Sequence, residues 1–134
     1  MVKQGEIYFD PSYTYPAGNT EDKLLIVLNK SYHTKNPIII VPVKTDKANK
    51  YKKGCNHRSY IFRIDANEDF FTENTLVQLD IANFPLDSSV FELKKEKQGL
   101  ELMTSLKKET LALLMKCLAQ LKQDINSDLH QHLF

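Results

Sequence analysis

Two pairs of residues, Lys44-Thr45 and His57-Arg58, bracket the stretch of this chain whose side chains have the types needed for phosphate chemistry. Lys44 and Thr45 end an apolar run, Pro37–Val43, at the point where a buried segment must surface. That placement suits groups that have to be both held and exposed. The Thr45 hydroxyl has a plainer use too, as a cap on the turn that follows. His57 offers an imidazole able to accept a proton, next to the cation Arg58, which is the make-up of a general base beside a phosphate-binding group. A loop histidine without a task reads the same way. Between the pairs lie Lys47, Lys50, Tyr51, Lys52 and Lys53: ammonium groups to follow a phosphate backbone and a ring to stack on an unpaired base.

The charge is concentrated there. Residues 35–64 hold eight basic side chains (Lys35, Lys44, Lys47, Lys50, Lys52, Lys53, Arg58, Arg63) against Asp46, a charge of +7, so the other 104 residues carry −6 of the formal total of +1. A local field of this kind attracts phosphate-bearing partners whatever the net charge. A lysine-rich solvated loop is the other reading of the same run.

Strands must position these groups. Glu6–Phe9 after Gly5, Leu24–Leu28, Pro37–Val43, Arg58–Asp65, Asn74–Ile81 and a shorter Val90–Leu93 all have strand length and composition. Leu24–Leu28 and Pro37–Val43 are continuously apolar, as expected of strands buried on two faces. Pro42 has no N–H to give, which predicts a bulge there or an edge position. Residues 10–22 read as a long loop, and 44–57 as a basic one. The period then changes: Leu111, Leu114, Leu118, Leu121 and Ile125 trace a helical stripe, with Thr104 or Ser105 as N-cap. The chain is therefore expected to be one domain, 1–134. It is mainly β, with five to six short strands over about 5–93, a C-terminal helix over about 105–126 and a tail at 127–134, bent into a small partial barrel.

No apolar run approaches the ~20 residues of a membrane span, and Met1–Glu6 has no signal-peptide core, so a cytoplasmic protein without membrane contact is expected. Cys55 and Cys117 stand in unlike contexts, a basic loop and an apolar stripe; reduced thiols are expected, with a disulfide as the alternative. Lys53 and Arg58 near Cys55 would favour a thiolate. His33, His57, His130 and His132 form no ligand pattern, so neither a metal nor another cofactor is expected.

In this order the segments resemble the MazF/PemK family of toxin–antitoxin ribonucleases. Gly5-Glu6-Ile7-Tyr8 resembles its opening strand, and Lys23–Asn29 its Arg-Pro-Val-Leu-Val-Leu-Ser strand. Ile39–Thr45 resembles its Val-Pro-Ile-Thr-Ser strand end, and Asn74–Asp80 the strand beginning Asp-Ser-Val-Val. The resemblance implies an SH3-like barrel with a terminal helix, a homodimer and a neutralising antitoxin protein. It also implies metal-independent cleavage of single-stranded RNA, in which the ribose 2′-OH attacks the adjacent phosphorus and the 5′-oxygen leaves. On it, Lys23 takes the place of an arginine that binds the scissile phosphate. The catalytic threonine position falls on Lys44, with Thr45 following, and a bulge at Pro42 would bring Thr45 into it. A second family arginine falls on Asp80 or Asn83, neither of them a cation. The implied site is thus Lys23, Lys44, Thr45 and His57 for catalysis, with Lys47, Lys50, Tyr51, Lys52, Lys53 and Arg58 binding RNA. Tyr13 and Tyr15 are further stacking candidates. The alternative is a silent member of the same fold, one that holds RNA or blocks a protein target as the CcdB branch does.

Overall fold

The computed structural model describes residues 2–15, 17–30, 32, 36–81 and 85–134. Strands β1 (Glu6–Thr14), β2 (Thr20–Val27), β3 (Ile38–Thr45), β4 (Gly54–Asn56), β5 (Ile61–Ile64) and β6 (Thr75–Gln78) come first. There follow β7 (Pro85–Leu86), helix α1 (Ser88–Lys97), β8 (Glu101–Ser105), α2 (Lys108–Ala119) and α3 (Ser127–Leu133). The strands form one antiparallel sheet in the order β4-β5-β6-β3-β2-β1-β8, with β7 paired to the start of β3. β4 and β8 stand at its two ends without pairing to each other, so the sheet is open. No helix among the described residues is long and apolar enough to cross a membrane.

The apolar parts of β2 (residues 24–27) and β3 (residues 38–43) are continuous because both faces of the sheet are covered there. Ile39, Val41 and Val43 point into one core with Ile26 and Leu28, closed by Leu114, Cys117 and Leu118 of α2 and Leu133 of α3. Their alternates Ile38 and Ile40 enter a second core with Leu25, Val27 and Tyr8, closed by Phe91 of α1. At 0% exposure, Phe91 is the apolar plug of its face, and the rings of Tyr8 and Tyr32 meet it edge-on. Gly5 lets α2 come close: its φ is +88°, and a Cβ there would stand 3.0 Å from the Leu111 side chain.

Pro42 neither bulges nor lies at an edge. β3 sits between β2 and β6, and its pairing with β2 keeps register from Ile40 to Pro42. The reason lies in strand alternation. Ile39 turns its carbonyl to the β2 side, where it accepts from Leu28 N, and its N–H donates to Asn29 Oδ1 at 2.6 Å. Backbone groups alternate between neighbours, so Pro42 turns its nitrogen to the opposite side. There β3 pairs with β7 only at Ile38–Ile39 and with β6 only from Val43 onward. The missing donor falls in the gap.

Other expectations change. The 10–22 loop is largely strand: β1 runs to Thr14, with a register shift between Asp10 and Tyr13 that accommodates Pro11. Val90–Leu93 belongs to α1, started by Asp87, whose carboxylate accepts from Ser89 N at 2.7 Å. Lys94 on α1 reaches the buried Asp10 at 2.9 Å and ties the helix to β1. Thr104 and Ser105 lie in β8, not at a helix start; all five β8 residues are exposed, so no alternation marks that strand. The predicted 105–126 helix divides. α2 ends at Ala119, a 3-10 turn spans Lys122–Asp124, and the 127–134 tail is helical and docked, with His132 O accepting from Lys30 N. Leu121 and Ile125 keep their places in the core across the break. His130 Nε2 lies 2.9 and 3.0 Å from the Lys122 and Ile125 carbonyls, at the turn that separates α2 from α3.

Burial has a titration consequence. It pushes the Tyr8, Tyr13 and Tyr32 phenols up from 10.0 to about 12, aided by Glu6 at Tyr8, by the Tyr15 ring, Asp10 and Asp80 at Tyr13, and by Glu92 at Tyr32. A phenol whose pKa is higher in the folded chain stabilises the fold in full below pH 10.0, and that stability is lost as pH rises toward about 12. Tyrosinate absorbance of the native protein should therefore include a late phase that coincides with alkaline unfolding. Tyr8→Phe, Tyr13→Phe and Tyr32→Phe should each diminish it; a native titration in which all six tyrosines ionise together near 10.0 would contradict this burial.

Candidate functional site

The ends of β2 and β3 and the start of β6 meet at one end of the sheet. The β2–β3 register pairs Leu25 with Pro42 and, carried two residues further, sets Lys23 against Lys44. The β3–β6 register pairs Thr45 with Thr75. Beside these strand ends lies a groove of about 640 Å³, whose lining includes Lys23, Lys44, Thr45, Lys47, Phe70 and Glu73. Four positions singled out in the sequence thus come together from segments 20 or more residues apart.

Their environments differ. Lys23 is largely buried, its Nζ 3.3 Å from Glu21 Oε1 and 5.7 Å from the Tyr15 ring centroid. Burial would lower its pKa, but the Tyr15 and Glu21 side chains outweigh that and raise it, so Lys23 stays an ammonium. Tyr15 donates to Glu21 at 2.6 Å; this bond, and then Lys23, holds the Glu21 carboxyl below its usual range. Tyr13 packs edge-on against Tyr15 at 5.1 Å, so the two rings hold the hairpin and Lys23 in place. Lys44 and Lys47 are exposed and make no ion pair among the described residues. Both belong to the lining of the groove.

Glu73 and Phe70 are among the lining residues that escaped the sequence reading. Glu73 accepts a hydrogen bond from Thr45 Oγ1 at 3.2 Å, and its own carbonyl accepts from Thr75 Oγ1 at 2.9 Å. Phe70, 39% exposed, stands edge-on to the buried Phe71 at 5.6 Å and presents an unused ring face. The available signal was Phe70-Phe71-Thr72-Glu73, an aromatic pair and an acid leading straight into a strand.

The basic loop is ordered by one acid. Asp46, 7% exposed, accepts from Lys50 N at 3.1 Å and Tyr51 N at 3.3 Å and faces Arg63 Nε at 3.9 Å. Arg63 also donates to the Tyr51 carbonyl and pairs with Asp65 at 3.4 Å, so it serves the loop rather than a ligand. Lys50 lies over the Tyr51 ring, and Lys53 is paired with Glu68 at 2.5 Å. Lys52, with Asn56, His57, Arg58 and Ser59, lines a separate hollow of about 360 Å³. His57 therefore does not line the groove that holds Lys23, Lys44 and Thr45. Cys55 is bonded to Cys117, so it is neither a thiolate nor a nucleophile. Asp80 lines another hollow, with Tyr60 and Leu121, and Asn83, the other position for the family's second arginine, lies outside the described residues, as do His33 and Lys35. Among the described residues no group of three His, Cys, Asp or Glu side chains is placed to hold a metal ion. Comparison with protein-family models and with curated proteins gives no match to this chain.

If Asp46 orders the loop, Asp46→Ala should speed amide exchange at Lys50 and Tyr51 while the β2–β3 ladder stays protected. Unchanged exchange at those two amides would mean that the loop is held by something else.

Proposed function

We propose that this chain is a MazF/PemK-like endoribonuclease that binds single-stranded RNA in the groove at the ends of β2, β3 and β6 and cleaves it by attack of the ribose 2′-OH. The observation that carries the reading is the meeting, in the lining of one groove, of three lysines with a hydroxyl–carboxylate pair: Lys23, Lys44 and Lys47 with Thr45 and Glu73. Attack on phosphorus builds charge on the non-bridging oxygens, and fixed cations aimed at that charge lower the barrier. Lys23, clamped between Tyr15 and Glu21, is the fixed one. Lys44 and Lys47 track the adjoining phosphates, and Phe70 offers a stacking face to a splayed base.

The reading carries further proposals with it. The fold is then a partial barrel of the SH3-like kind, for which an open, strongly covered antiparallel sheet is suitable. The protein works as a homodimer restrained by an antitoxin protein; the Cys55–Cys117 bond speaks against the reducing cytoplasm expected from the sequence. Lys52, Arg58 and His57, in their own hollow, contact RNA beyond the cutting site. A second reading, an RNA holder that does not cut, draws on one feature of the groove: neither of the chain's arginines lines it. Lysine lacks the planar fork that grips two phosphate oxygens at once.

Incubation with a long single-stranded RNA in EDTA separates the two. Cleavage should yield 2′,3′-cyclic phosphate and 5′-hydroxyl ends, and Lys23→Ala or Thr45→Ala should slow it by about tenfold or more. Binding without any cutting would favour the holder. Cutting that is indifferent to both substitutions would remove the groove from the reaction.

A further inference from the structure

The hydroxyl that attacks must lose a proton, and the residue expected to take it from sequence, His57, lies in a different hollow. The groove contains two carboxylates, Asp22 and Glu73. Asp22 is exposed and has no hydrogen bond or ion pair among the described residues. Glu73 is exposed too, but its carboxylate has one hydrogen-bond partner and the backbone around it is anchored. Thr45 Oγ1 on the central strand donates to its Oε2, Thr75 Oγ1 fixes its carbonyl, and the next residue, Asn74, accepts from Asp46 N at 2.8 Å and from Ala66 N at 2.9 Å. A carboxylate adds nothing to phosphate binding, and in a lysine-lined groove it opposes it. Its placement there, against the Thr45 hydroxyl, calls for a role other than binding.

We infer that Glu73 is the general base of the reaction in this groove, with Thr45 as the positioning residue that holds its carboxylate and Lys44 as the proton donor to the leaving oxygen. This rests on the ribonuclease reading above. Glu73 removes the proton of the ribose 2′-OH; the O2′–P bond forms as the P–O5′ bond breaks. The Lys44 ammonium gives a proton to the departing 5′-oxygen. Products are a 2′,3′-cyclic phosphate and a 5′-hydroxyl, and exchange with water returns Glu73 to carboxylate and Lys44 to ammonium. In-line displacement requires base and acid on opposite sides of the phosphorus. Successive residues of a strand project to opposite faces, so a phosphate laid over the end of β3 would have Lys44 on one side and the Thr45–Glu73 pair on the other.

Three substrates test this: all-ribose RNA, RNA with a single 2′-deoxy at the cut position, and RNA with a bridging 5′-sulfur there. With all-ribose RNA, Glu73→Gln should lower kcat by about 100- to 10,000-fold, with Glu73→Asp retaining part of the rate. Affinity of Glu73→Gln for the 2′-deoxy RNA should equal or exceed that of the unaltered protein. Sulfur leaves without a proton, so the 5′-sulfur substrate should restore Lys44→Ala but not Glu73→Gln. The assignment is overturned if Glu73→Gln cuts at close to the normal rate, if sulfur rescues it, or if its loss is one of affinity for the 2′-deoxy RNA. Failure of the unaltered protein to cut all-ribose RNA is a separate outcome, which removes the ribonuclease reading and this inference together.

Discussion

Burial of β3 on both faces and along both edges is the constraint on which the molecule depends. A strand that is apolar on one side only is held in register by its pattern, because a slip of one residue would put every apolar side chain into water. β3 lacks that safeguard, since Ile38–Val41 would stay apolar after a slip. Its register is set by polar details instead. Asn29, 1% exposed, extends the ladder past the end of β2 by accepting from Ile39 N and donating to the Pro37 carbonyl. Pro42 lacks a donor and is tolerated where its nitrogen meets the gap between β7 and β6. A slip of one would turn it toward β2 and leave a buried carbonyl unpaired, costing on the order of 1–3 kcal/mol. The same register delivers Lys44 and Thr45 to the groove.

Around this strand the remaining stabilisation is distributed by face. α2 and α3 close one core, and α1 closes the other with a single large side chain, Phe91, and the buried Asp10–Lys94 pair. The Cys55–Cys117 bond joins end strand β4 to α2 across 62 residues. Closing a loop of that length removes unfolded-state entropy worth about 4 kcal/mol in the chain-entropy model. The bond anchors the stretch between the basic loop and His57-Arg58 to the most buried helix.

Much of the fold was legible because its signals are local. The two-faced burial of β2 and β3, the helical leucine stripe and the strand at Thr75–Gln78 follow from run length and period. What stayed hidden depends on partners distant in sequence. β8 is exposed at all five residues and is a strand only because β1 pairs with it. α1 buries little beyond Phe91, so Val90–Leu93 carried too weak a helical pattern to outweigh its strand-like composition. In the site, Lys23, Lys44, Thr45 and Lys47 were found as charges and a hydroxyl at strand ends. Glu73 and Phe70 were missed because their meaning comes from the groove, and His57 was grouped with Lys44 and Thr45 because closeness in sequence stood in for closeness in space.

The central claim is that the strand-end groove, not the hollow beside Arg58, receives the reacting RNA. Titration of isotope-labelled protein with a short single-stranded RNA carrying a 2′-deoxy at its cut position tests this directly by NMR. The groove account expects saturable shifts at Lys23, Lys44, Lys47 and Phe70 that exceed those at Lys52, His57 and Arg58. Shifts confined to the second set, with the groove unperturbed, would contradict it.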